Sequence, residues 1–159
     1  MDGDASDPLL YRDETFRVRR AIFDVHGAMG AGFLEAVYQE CLSLEFTRQG
    51  IAFEALKPLR LTYRGQELQQ TYVADFVCYE RIIIELKAVR ALAPEHRAQT
   101  INYLRASGAR VALLVNFGAM SVEIERFAVR GTRSVKSVKS VVRNLEDQFR
   151  VGISTGRVS

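Results

Sequence analysis

Apolar residues recur at three- and four-residue spacing from Asp13 to about residue 28, with Phe16, Ile22, Phe23, Val25 and Met29 interleaved with charge and Arg20 on the Phe16 side. That period predicts an amphipathic helix. The glycines of GAMGAG (27–32) predict its end, because glycine enters turn conformations without a steric penalty. A second helix is predicted from about Phe33 to Gln49. Leu34, Val37, Tyr38, Cys41, Leu42 and Phe46 form its apolar side, and Gly50 is a natural stop. The period then shortens. Ile51–Ala55 and Leu59–Tyr63 read as strands, with RGQE (64–67) as a turn, and YVADFVCYERIIIELKAV (72–89) reads as a strand pair. Pro94 predicts the first turn of a helix that runs to Gly108, with Ala98, Ile101 and Leu104 inward. VALLVNF (111–117) is nearly all apolar, as a strand covered on both faces must be. VEIERFAV (122–129) alternates and predicts a less buried strand.

The order α, α, β, β, β, β, α, β, β predicts one α/β domain, a mixed sheet flanked by helices. Residues 1–12 read as a flexible leader, 13–129 as the domain, and 130–159 as a basic tail, disordered or partly helical. The chain of 159 residues is long enough to bury a substantial core. It holds no run of about 18 apolar residues, so no membrane span is expected. Cys41 and Cys78 match no metal or redox spacing and lie among apolar residues. They read as buried free thiols in a reducing, cytoplasmic setting.

The net charge of +3 is unevenly spread. Residues 1–129 carry 15 Lys and Arg against 17 Asp and Glu, whereas residues 130–159 carry 7 against 2. The positive surplus therefore belongs to the tail, where it suits either a polyanion partner or a solvated end.

The strand pair at 72–89 raises the main chemical question. Glu85 and Lys87 are two apart on one strand and share a face, while Ile84, Leu86 and Ala88 face the other way. Asp75 lies across the turn near Glu80 and Arg81. A two-residue loop would set Asp75 opposite residue 86, pointing away from Glu85. An odd-length loop or one bulge would set it opposite residue 87, and the three polar groups would converge. Convergence carries a cost, because close carboxylates repel and are expensive to desolvate. A divalent cation relieves both costs, and Mg²⁺ prefers oxygen ligands and retains water. Spacing alone leaves a second reading, a solvated strand face on which Lys87 is an ion-pair partner.

Other segments add to the picture. Glu35 starts a helix after a glycine turn, where a carboxylate also compensates the helix dipole. His96, Gln99, Asn102 and Tyr103 form a polar ridge on the following helix.

Taken together, Gly32-x-x-Glu35-x-x-Tyr38, Asp75-x9-Glu85-Leu-Lys87-Ala, His96-x-x-Gln99-x-x-Asn102-Tyr-Leu and LLVNFG (113–118) resemble the GxxExxY family, grouped with the PD-(D/E)xK nuclease superfamily. The resemblance covers roughly residues 13–128. It implies a restriction-endonuclease-like core with Asp75 and Glu85 as metal ligands and Lys87 positioning the attacking water or stabilising the transition state. Glu35 would approach the same metal directly or through water. Gln99 would help position Lys87 or phosphate, with Tyr38 and His96 as accessories and Tyr38 and Gly32 chiefly structural. His26 also matches a family position, where a structural role before the glycine turn is expected. Ala31 replaces a proline common in the glycine turn.

The implied activity is a Mg²⁺- or Mn²⁺-dependent nuclease acting on DNA. The alternatives are a nucleic-acid-binding or regulatory module with little cleavage, favoured by the core's slight negative charge, and a protein-interaction domain that forms a homodimer through the exposed strand 122–129.

Overall fold

The computed structural model describes residues 10–129 and the strand Val138–Val142. Residues 1–9 of the leader and most of the basic tail lie outside the described residues, and the last residue of the expected leader, Arg12, already belongs to the first helix. The elements are α1 (Arg12–Met29), α2 (Glu35–Arg48), β1 (Phe53–Tyr63), β2 (Gln66–Cys78), β3 (Ile82–Lys87), α3 (Pro94–Ser107), β4 (Val111–Asn116), β5 (Glu123–Ala128) and β6 (Val138–Val142). The six strands form one mixed sheet in chain order. Only β3 and β4 run parallel, and α3 makes the crossover between them.

The sheet is covered on both faces. On one side Ile22 and Val25 of α1 and Tyr38, Leu42 and Phe46 of α2 pack on Phe76, Ile84, Leu86, Leu113 and Ile124. On the other, Leu104 of α3 packs with Ala74, Val77, Ile83, Leu114 and Phe127. The central strand β4 is buried at every position, which accounts for its unbroken apolar run.

Several boundaries and faces differ from the sequence reading. Gly27 stays helical, and α1 ends at Gly30, whose φ is 70. Phe16 is 65% exposed, because the buried stripe of α1 runs through Val18, Ala21, Ile22 and Val25 instead. Leu34 caps α2 in an extended conformation and is exposed rather than inward. The two short strands before residue 64 are one strand, and the turn is tightened to Arg64 and Gly65, both at positive φ. In α3 the buried positions are Thr100 and Leu104, while Ala98 is exposed.

The strand at 122–129 is the largest departure. It was expected to be partly exposed, yet Ile124, Glu125, Arg126 and Phe127 are all buried. Both faces are packed, and the outer edge of β5 pairs with β6, so it is not open to a second copy. Cys41 and Cys78 are free thiols as expected, but only Cys78 is buried and Cys41 is half-buried; burial pushes the Cys78 thiol up.

Candidate active site

The site is assembled at the end of β3. The β2–β3 ladder closes with Cys78 opposite Ile82, leaving a loop of three residues, 79–81. Arg81 N–H donates to the Cys78 carbonyl at 3.0 Å across Tyr79 and Glu80, both at positive φ. That mirror-image turn matches the twist of paired strands. The loop is thus odd, as convergence requires. Its register runs two residues short of the expected one. Phe76 faces Ile84, so Asp75 comes opposite Glu85 rather than Lys87.

At Asp75 the regular ladder stops. Leu86 N–H donates to Asp75 Oδ2 at 2.7 Å, and Asp75 N–H donates to Glu85 Oε1 at 3.4 Å. Carboxylate oxygens occupy the places where strand carbonyls would sit, so β2 and β3 fork apart around them. The other neighbour of Asp75 is also irregular. Ala55 and Lys57 of β1 pair with Phe76 and Ala74, but the intervening Leu56 has φ 50 and drops out of the ladder. Alternation along β2 changes here too. Ala74 and Val77 share the α3 face although they are an odd number of residues apart. Asp75 therefore occupies a kink in its own strand.

Burial sets the protonation of this cluster. Glu85 is 8% exposed. Loss of water raises its pKa to about 7; the Asp75 N–H and Lys87 pull down, and Glu35 adds to the upward push. Asp75, half-buried, is raised by desolvation against the Leu86 N–H and Lys87. Glu35, the first residue of α2, is raised by partial desolvation and then by Asp75, with Lys87 opposing. Glu35 is exposed, so water screens its share and the energy involved is small. Three carboxylates and one ammonium therefore feel one another's charge, and the positive charge is in the minority.

Of the expected residues, Asp75 and Glu85 are in direct contact, with Lys87 half-buried two residues along and Glu35 a charged neighbour. Among the described residues no three His, Cys, Asp or Glu side chains stand close enough to enclose a metal ion. The donor set still suits Mg²⁺, which takes a few carboxylate oxygens and keeps water in its remaining positions. Asp75 Oδ1 and Glu85 Oε2 make no hydrogen bond among the described residues and are the oxygens such an ion would use.

The accessory residues have defined structural tasks. The Tyr38 hydroxyl donates to the Gly30 carbonyl at 2.6 Å and accepts from Phe33 N–H at 3.2 Å, clasping the glycine turn that precedes Glu35. Its ring stacks on Phe117 with centroids 4.6 Å apart. His26 Nε2 lies 3.1 Å from the Ala119 carbonyl and joins α1 to the loop after β4. Nδ1 of His96 accepts the Ala93 N–H at 3.0 Å and so caps the start of α3. Gln99 is exposed, and no hydrogen bond ties it to the carboxylates.

Some contributors were not foreseen. Arg97 grips the buried Glu125 through Nε at 2.8 Å and Nη2 at 2.7 Å, fastening α3 to β5. Asn116 ends β4 fully buried, and the structure uses it as a bracket for the chain just beyond Lys87. Asn116 lies in the LLVNFG motif, and as a lone amide closing an apolar strand it carried a signal, but no role was read from it. No pattern in the sequence announces a pair 28 residues apart, such as Arg97 and Glu125.

A family model described as PD-(D/E)XK nuclease superfamily matches residues 12–127. No curated protein matches. The solved structure described as "Crystal structure of SSO0001" is similar at 16% identity and a TM-score of 0.39, over 92% of this chain and 67% of that one. A likeness that distant says nothing about the site.

Proposed function

Since the chain belongs to the PD-(D/E)XK nuclease superfamily, we propose that it hydrolyses phosphodiester bonds in DNA with Mg²⁺ or Mn²⁺ held by Asp75 and Glu85. The observation that carries this reading is the fork between β2 and β3, where the desolvated Glu85 carboxylate takes the Asp75 N–H and the Asp75 carboxylate takes the Leu86 N–H, with Lys87 alongside. Burying two carboxylates with one ammonium is costly unless further positive charge arrives. A bound divalent cation supplies that charge, neutralises the phosphate and stabilises charge developing on its oxygens.

The remaining roles follow from position. Lys87 projects from the same strand face as Glu85, and its ammonium donates to the attacking water or to a phosphate oxygen. Glu35 acts through water, as its exposed place at the start of α2 suggests. The four ordered motifs support the narrower assignment to the GxxExxY family.

Nicking of supercoiled DNA in Mg²⁺ or Mn²⁺ tests the proposal. Asp75→Ala and Lys87→Ala should each lower the rate by about 100-fold or more. Equal nicking by wild type and both variants would assign the activity to a contaminant. The slight negative balance of residues 1–129 favours a second reading, a binding module that cleaves little. DNA binding without cleavage that survives both substitutions would establish that module instead.

A further inference from the structure

The parallel ladder between β3 and β4 ends with Lys87 beside Asn116. Beyond it, the chain after Lys87 is held by a side chain. Asn116 Oδ1 accepts the Val89 N–H at 2.9 Å, and Asn116 Nδ2 donates to the Val89 carbonyl at 2.9 Å. The amide thus takes both backbone hydrogen bonds of Val89, as a neighbouring strand would. Asn116 is itself held, with Gly118 N–H donating to Oδ1 at 3.0 Å and Glu123 Oε2 accepting from Nδ2 at 2.9 Å. Phe117 N–H donates to the Lys87 carbonyl at 2.8 Å.

Gly118 presses on the same segment from a second direction. A Cβ at Gly118 would stand 2.3 Å from the Val89 oxygen, 2.4 Å from its nitrogen and 2.6 Å from the Ala88 carbonyl carbon. All three contacts are with backbone, which cannot swing aside as a side chain does. The fit therefore admits no side chain at residue 118. Asparagine is also the fitting residue at 116. An aspartate would lose both donations and face the Glu123 carboxylate, and an aliphatic side chain would leave the half-buried Val89 N–H and carbonyl without these partners.

We propose that Asn116 and Gly118 form a lock on residues 87–89 whose task is to hold the Lys87 side chain in its working position beside Asp75 and Glu85. Asn116 is then a positioning residue that acts through Lys87. The proposal rests on the nuclease reading for its kinetic consequence and on the hydrogen bonds alone for its structural one.

Two measurements on the full chain test it. In the Mg²⁺ nicking assay, Asn116→Ala should lower kcat at least 30-fold, with KM for the plasmid and Mn²⁺ affinity each within twofold of wild type. In a Lys87→Ala background the same substitution should change kcat by less than threefold, because the group it positions is gone. Additive losses in the double variant would overturn the proposal, since a general loosening of the fold does not depend on Lys87.

The second measurement needs no activity. Trace acetylation read by mass spectrometry should label Lys87 at least threefold faster in Asn116→Ala, with Lys57 unchanged as the internal reference. If wild type cleaves nothing, the nuclease reading falls and labelling alone decides the lock. A threefold rise supports it, and an unchanged rate overturns it. Should Asn116→Ala fail to fold, Asn116→Asp keeps the acceptor for the Val89 and Gly118 N–H groups, loses the donation to the Val89 carbonyl, and is read in the same two ways.

Discussion

Glu85 sits 8% exposed in the fork, and its carboxyl titrates at about 7 rather than near 4.5. Between those values the folded chain holds a proton that the unfolded chain has released. Stability of the metal-free protein should therefore fall as pH rises from about 4.5 to about 7, by on the order of 3 kcal/mol at most. Asp75 and Glu35 are pushed in the same direction and steepen the fall. Thermal unfolding in EDTA across this range should show the decline. Glu85→Gln, which carries no charge at any pH, should flatten most of it. An unchanged slope in that variant would place the titrating group elsewhere. Mg²⁺ affinity should rise over the same window, because the ion competes with the Glu85 proton.

At the scale of elements, β2 does two jobs with one run of residues. Its C-terminal part, Phe76 to Cys78, is buried core, while Asp75 sits where pairing fails on both sides. The irregularity has a backbone cost, since Leu56 holds φ 50, a region leucine seldom occupies. Its side chain is 56% exposed, so little packing offsets that cost. Leu56→Gly should therefore leave stability unchanged or raise it by up to about 1 kcal/mol, measured by urea unfolding. A loss of more than about 1 kcal/mol would mean that the leucine side chain contributes there after all. The loop before α2 is handled differently. There the left-handed turn falls on glycine, Gly30 at φ 70, and the Tyr38 hydroxyl ties both of its sides together.

For the whole molecule, the candidate residues gather at the carboxyl ends of the two central strands. The end of β3 meets the start of α2 there, bringing Glu35, Lys87 and Asn116 toward one another from distant parts of the chain. The region beyond the carboxyl ends of parallel strands is a common place for a site in α/β folds. Binding to a long polyanion needs positive charge over a wider area, and that surplus lies past residue 129. Replacing Arg130, Arg133 and Lys136 by glutamine should weaken DNA binding and lower the slope of log K against log salt by about 2 to 3. The same slope and affinity in the variant would remove the tail from the interface. β6 pairs along the outer edge of β5, so truncation after residue 129 would test the edge as well as the charge.

The sequence alone determined which residues could carry chemistry and roughly which elements hold them. Local period and turn chemistry act over a few residues, so two helices, a strand pair, a crossover helix and a buried strand were all legible, while the parity of the turn between the paired strands was not. The D-x9-E-x-K spacing was legible for the same reason, as its members lie on adjacent strands. Only the tertiary structure decided how Asp75 meets Glu85, because the step of register depends on where the three-residue loop closes and on the kink opposite Leu56. It also decided that 122–129 is buried, since burial depends on what covers a strand and not on the strand's own alternation. The Asn116 bracket and the Arg97–Glu125 grip belong to the same class. Each joins residues far apart in sequence, 27 and 28 positions respectively, that touch only after the sheet has formed.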